Sequence, residues 1–187
     1  MLAAAVRVVA RSGLRGLTHR AVDREAGLPE GSCSAYMRTR LALLTALTQY
    51  VADRFAQDIA DLAHRVEEHA DESGYAVRET STVLRSWLLE PELLLTRLEL
   101  SIEGSRQPEI AQISQAQSRA LTDIVEHAMD TAAAEHGRAR AITLIAAVDG
   151  VLLRALREEP ERRTPFMGES LELLMSALVG EQRNGTV

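Results

Sequence analysis

The stretch THRAVDREAGLPEGSCSAYMRTR, residues 18–40, decides how the rest of the chain reads. Thr18 carries a side-chain oxygen that can accept from the free N–H groups of a first helix, residues 18–26. Ala26-Gly27 ends that helix, because Gly27 adopts without strain the left-handed conformation that closes a helix. Pro29 suits the first turn of a second helix, where a missing backbone N–H costs nothing. That second helix displays Glu30, Ser32, Cys33, Ser34 and Tyr36, a surface of mostly small side chains. Two short helices joined so tightly form a helix-turn-helix, a unit whose second helix enters the DNA major groove. Small polar residues there suit close approach to base edges. An ordinary hairpin of a helical bundle would show the same turn, so the flanking sequence has to arbitrate.

It arbitrates by charge. Residues 1–50 carry seven arginines and three acids, a net of +4, while residues 51–187 carry fourteen arginines and 24 acids, a net of −10. A chain that is acidic overall but basic at one end holds its positive charge where a polyanion is met. Lysine is absent. Every basic contact is therefore made by arginine, the better bidentate partner for phosphate and guanine.

The remaining composition points to an all-α protein. Aromatic residues number six and prolines five, with Ala, Leu, Arg and Glu dominant. At 187 residues the chain makes one domain or two small ones with ample apolar content for a core. A single cysteine excludes an internal disulfide framework and fits a reducing compartment. No secretion signal is legible, and the most apolar run, residues 141–156, contains Asp149 and Arg154 and is too short to span a bilayer. The expectation is a soluble cytoplasmic protein with no membrane partner.

Taken in order, a first helix at residues 2–11 has an apolar stripe of Leu2, Val6, Val9 and Ala10, broken by Ser12-Gly13 and Gly16. With the helix-turn-helix it shares a small core of Leu2, Val6, Val9, Leu14, Leu17, Val22 and Leu28. A long helix follows at residues 41–70. Further helices are expected at 75–89, at 91–103 after the Glu90-Pro91 stop, and at 108–136 with Gly137 closing it. The helix at 138–157 is apolar at twelve of the sixteen positions from 141 to 156. A helix apolar nearly all round needs covering on both sides. After a charged loop at 158–164, a last helix runs over residues 165–179, and the tail from Gly180 is loose. Neither strands nor repeats are legible.

Residues 1–50 resemble the DNA-binding domain of the tetracycline-repressor (TetR) family of bacterial regulators. The matching features are the Gly13 break, Leu17-Thr18, the Ala26-Gly27 turn, Gly31-Ser32, the Tyr36-Met37 pair and the run from Arg40 to Leu43. The nine-helix order and the apolar penultimate helix extend the likeness. Four positions depart from the family pattern: Ser34 replaces a frequent aromatic, Met37 a usual phenylalanine, Arg40 a usual lysine, and Asp23 a frequent small alanine.

The resemblance implies a nine-helix TetR-like fold with a DNA-binding domain at residues 1–45 and a ligand-binding and dimerisation domain at residues 46–187. It implies a homodimeric repressor that binds a palindromic operator in double-stranded DNA and is released by a small-molecule effector. Thr18, Arg20, Ser32, Tyr36 and Arg40 are then the phosphate contacts. Glu30, Ser34 and Ala35 lie nearest base edges, and Gly31 lets the backbone approach the DNA. Leu62, Val66, Leu84, Trp87, Leu88, Leu98, Ile102, Ile113, Gln117 and Leu121 surround a ligand cavity suited to an apolar or amphipathic molecule, with Glu99, Glu103, Gln117 and His127 as polar anchors. The dimer seam takes Ile142, Ile145, Val148, Gly150, Leu152 and Leu156 from one helix and Leu171, Leu174, Met175 and Leu178 from the next.

An enzyme is not indicated. The five histidines are scattered, His64 and His69 are five apart and off one helix face, and GSCS lacks the strand–turn–helix setting of a nucleophile elbow. No cofactor and no metal are expected. Two other readings stay open: a DNA-binding redox sensor acting through Cys33, and a helical protein that binds only other proteins, against which the basic end argues.

Overall fold

The structure is a computed structural model that describes residues 1–69, 71–72, 74–130 and 137–179, with backbone alone at 128–130, 178 and 179. Among these residues nine helices follow one another without a strand: α1 (Leu2–Gly16), α2 (His19–Ala26), α3 (Ser32–Tyr36), α4 (Arg40–Glu68), α5 (Tyr75–Leu89), α6 (Pro91–Gly104), α7 (Pro108–Asp130), α8 (Gly137–Ala155) and α9 (Pro160–Val179). The all-α expectation holds. None of these helices is long and apolar enough to cross a membrane.

The helices gather into two compact units. One comprises Met1–Gln57 with Glu90–Ser118; the other comprises Asp58–Leu89 with the described residues from Arg119 on. Helices α4 and α7 contribute to both.

In the first unit, α1 buries Ala4, Ala5, Val6, Val8 and Val9, a wider face than one stripe. The reason is that α1 packs on two sides, against α2 and, most extensively, against α6. Leu94, Thr96 and Leu100 of α6 are buried there, and the Thr96 hydroxyl shares its proton between the Glu92 carbonyl at 2.8 Å and the Val6 carbonyl at 3.2 Å. A hydroxyl is tolerated in such a place only because it is bonded. Gly13 interrupts α1 at φ 62°, as the sequence break requires. On α4, Leu43, Leu44, Leu47, Val51 and Phe55 are buried at helical spacing, each worth about 1.5–3 kcal/mol for the larger apolar side chains.

In the second unit, α5 lays Val83, Leu84 and Leu88 against α9, whose Met167 and Leu171 are buried, while α8 buries Ala141, Leu152 and Ala155. Trp87 donates its indole N–H to Asp58 at 2.8 Å.

Several boundaries differ from the sequence expectation. Leu28 is 38% exposed rather than core. It follows the left-handed Gly27, and its N–H bonds back to the Asp23 carbonyl at 2.9 Å while Gly27 N–H reaches the Arg24 carbonyl at 3.2 Å, a two-bond closure that turns the side chain outward. Pro29 does not open the second helix. Gly31 at φ 94° cannot be helical, so α3 begins at Ser32. The last helix starts at Pro160, five residues before the expected Pro165, which lies inside it. Both prolines precede the apolar run, and the earlier one takes the helix start. Gly137 begins α8 rather than closing α7. The expected helix at 131–136 and the tail from Gly180 lie outside the described residues.

Candidate nucleic-acid interface

The geometry of residues 18–40 is set by local bonds first. Thr18 takes an extended conformation and its Oγ1 accepts from Ala21 N–H at 3.1 Å, the cap that the sequence suggested. Gly27 is left-handed at φ 66°. The connection from Leu28 to Gly31 then delivers the chain to α3, which has five residues.

Two side chains of α2 reach α3. Asp23 is 2% exposed, and its carboxylate oxygens accept from Gly31 N–H at 2.9 Å and Cys33 N–H at 2.7 Å. His19 Nε2 bonds the Met37 carbonyl just past the other end of α3. From α4, the Arg40 guanidinium holds the end of α1 instead, donating to the Leu17 carbonyl and, at 2.7 Å, to the Leu14 carbonyl. Glu25 of α2 accepts from Arg7 and Arg11 of α1, each at 2.8 Å, and these cations hold its carboxyl below the usual range.

Of the nine residues expected at DNA, Thr18, Arg20, Glu30, Gly31 and Ser34 line one open groove of about 380 Å³, together with His19 and Asp23. Arg20 and Glu30 are highly exposed and paired with each other at 2.7 Å. An exposed pair of this kind is worth little and can be exchanged for a phosphate. Ser32 and Ser34 both donate their hydroxyl protons backwards, to the Pro29 carbonyl at 2.7 Å and the Gly31 carbonyl at 2.9 Å. Ala35 is exposed, and Tyr36 is 82% exposed, so its ring is not a core residue of this protomer. Arg40 holds two carbonyls, as described.

Cys33 is fully buried, and burial, then the neighbouring Asp23 carboxylate, pushes its thiol up. A redox-sensing cysteine needs thiolate character and access, which are the opposite conditions.

The residues expected around a ligand fall in both units. In the second, Leu84 and Leu88 are buried, and Leu62, Val66, Trp87 and Leu121 are half-buried. In the first, Leu98, Ile113 and Gln117 are half-buried and Ile102 is 57% exposed. Of the polar candidates, Glu99 lies beside Gly13 and accepts a long bond from Leu14 N–H at 3.5 Å. Glu103 accepts from Gln107, and His127 is exposed.

Of the residues expected at a seam, Leu152 and Leu171 are buried within the protomer. Ile145, Val148, Leu156, Leu174 and Met175 are half-buried, Ile142 and Gly150 are exposed, and the Leu178 side chain lies outside the described residues.

His19 and Asp23 escaped the sequence reading as functional candidates. The available signal was their i, i+4 spacing, which puts both on one face of α2. An acid where the related family often has a small alanine marked a difference without showing its partner.

Residues 71–181 match the family model described as "Tetracyclin repressor-like, C-terminal domain". No curated protein matches the chain. Among solved structures, a TetR-family member from Streptomyces coelicolor A3 is 26% identical with 95% of each chain covered and a TM-score of 0.72. The multidrug binding protein EbrR, complexed with malachite green, is 25% identical, with 92% of this chain and 94% of that chain covered and a TM-score of 0.67. A transcriptional regulator from Rhodococcus sp. Rha1, 18% identical over 94% of each chain with a TM-score of 0.75, has the same fold. With more than half of its residues inside the family model, the chain belongs to the tetracycline-repressor family of transcriptional regulators.

Proposed function

We propose that this protein is a repressor that binds a palindromic DNA operator as a homodimer and is released by a small apolar or amphipathic molecule. The observation that carries the reading is the α2–α3 unit, in a chain segment of net positive charge, with Arg20, Gly31, Ala35 and Tyr36 on its surface. In this reading residues 1–45 meet DNA. Thr18, Arg20, Ser32, Tyr36 and Arg40 serve the phosphates, and Glu30, Ser34 and Ala35 the base edges, with Gly31 leaving room for the backbone. Residues 46–187 hold the effector and the two-fold seam.

Support for the seam comes from the surface of α8 and α9, where Ile142 is 52%, Leu153 43% and Leu173 71% exposed. A Cβ built on Gly150 meets no heavy atom within 4 Å, so the protomer itself leaves that side of α8 open. Support for a small-molecule effector is the similarity to EbrR in its dye complex. Action on DNA places the protein in the cytoplasm.

Selection of bound DNA from a random pool, followed by salt titration on the recovered sequence, tests the reading. The expected result is an enriched palindrome whose affinity falls steeply as salt rises, because neutralised phosphates release counterions. No enriched sequence, or affinity indifferent to salt, would overturn it.

A further inference from the structure

We propose that His19 and Asp23 are positioning residues for operator readout: through them α2 sets the pose of α3, gripping it at both ends. The inference rests on the DNA-binding reading above and goes beyond it by assigning the geometry of recognition to two side chains that need not touch DNA.

The argument starts from the length of α3. Five residues, Ser32–Tyr36, form little more than one turn, and a helix that short does not hold itself in water. Its own N-cap residue is Gly31, which offers no side-chain cap. The carboxylate of Asp23 takes that role instead, accepting from Gly31 N–H at 2.9 Å and Cys33 N–H at 2.7 Å. At the far end His19 Nε2 meets the Met37 carbonyl, which can only accept, so this nitrogen carries the proton. His19 and Asp23 are four residues apart and share one face of α2. Bonds to a charged, buried acceptor are strong and directional.

Apolar burial of Cys33 and Met37 also attaches α3, but such packing is non-directional and does not define the rotation of a single turn. Three directional bonds, two at one end and one at the other, do. Ala35 and Tyr36, exposed on this turn, inherit their placement from it. An alanine at position 23 would leave Gly31 and Cys33 N–H without these acceptors and α3 free to turn.

The test uses the full chain with Asp23→Ala, Asp23→Asn and His19→Ala. Each variant is titrated on the selected operator and on a scrambled duplex over a range of salt, with circular dichroism and dimer mass as controls. For Asp23→Ala the operator affinity is expected to fall on the order of tenfold or more, the size of a lost base contact, while scrambled-duplex affinity and salt slope stay within about twofold. Asp23→Asn keeps an acceptor for one of the two N–H groups and falls between Asp23→Ala and wild type. His19→Ala loses operator preference in the same sense, to a smaller degree.

Folded variants that keep the wild-type ratio of operator to scrambled affinity overturn the proposal, as does a ratio that changes only in step with lost helicity. Should Asp23→Ala fail to fold, His19→Ala decides by the same ratio. A wild-type protein with no preferred sequence overturns the DNA reading and this inference with it; a selective wild type with equally selective variants overturns this inference alone.

Discussion

In the α2–α3 head the exposed side chains, Leu28 and Tyr36 apart, are polar or small and the geometry is held by directional bonds, whereas in the α8–α9 pair several large apolar side chains stand in solvent. Asp23, His19 and Arg40 each bond backbone groups, two of them far from their own position in the chain. In α8 and α9 the interior is Ala141, Leu152, Ala155, Met167 and Leu171, while Ile142, Leu153 and Leu173 face outward. The difference suits the two kinds of partner proposed above. A polyanion demands exact placement of donors around a rigid groove, and hydrogen bonds supply angle as well as energy. A second copy of the same surface demands area and shape, which apolar side chains supply without direction.

The strongest way to break the contrast is to put charge on the apolar side. The double change Ile142→Asp and Leu173→Asp is expected to convert the proposed dimer into a folded monomer of 20.5 kDa and to abolish tight operator binding at micromolar protein. Both side chains are more than half exposed in the protomer, so its own fold should be little affected. Sedimentation velocity with a parallel melting curve reads the two effects apart. A dimer that persists would remove α8 and α9 as the seam.

A smaller effect is expected at the polar end. Arg40→Ala deletes two charged hydrogen bonds to Leu14 and Leu17 carbonyls, each of a type worth about 1.5–3 kcal/mol, discounted here because the residue is exposed. A loss of about 1–2 kcal/mol on thermal or urea unfolding is the expected outcome, with DNA affinity lowered for all sequences alike. Unchanged stability with a flatter salt slope would instead make Arg40 a phosphate contact only.

The smallest effect concerns pH. Arg7 and Arg11 depress the folded-state pKa of Glu25, so this carboxylate stabilises the α1–α2 packing above its unfolded pKa near 4.5, and the contribution disappears as pH falls through the lower folded value. Glu25→Gln is expected to flatten the acid limb of the stability curve below about pH 4.5, measured by urea unfolding at several pH values, and to do so less at high salt. An unchanged acid limb would mean that the exposed triad adds nothing to the head.

Much of the fold was legible because it is written in local signals. Thr18 caps, Gly27 closes and Pro91 starts a helix, each a signal carried by residues a few positions apart. Where two local signals competed, the reading slipped: two prolines, Pro160 and Pro165, precede the last apolar run, and Pro29 stands near a helix that Gly31 delays. For the candidate site, the exposure of Tyr36 was legible from the sequence, whereas Cys33, expected on the same surface, is fully buried, and neither that burial nor the bonds that hold α3 were legible.

By itself the sequence determined that this chain is helical, that its basic charge lies at one end, and that a helix-turn-helix occupies residues 18–40, since each follows from composition or from neighbours within a few residues. Only the tertiary structure decided what holds that unit in place. Thr96 meets Val6, Glu99 meets Leu14 and Arg40 meets Leu17 across separations of 90, 85 and 23 residues, and Asp23 meets Cys33 across ten. No helical period relates such positions. The pairings exist because burial forces every polar group inside the head to find a partner, and which partner is within reach is a property of how the helices pack.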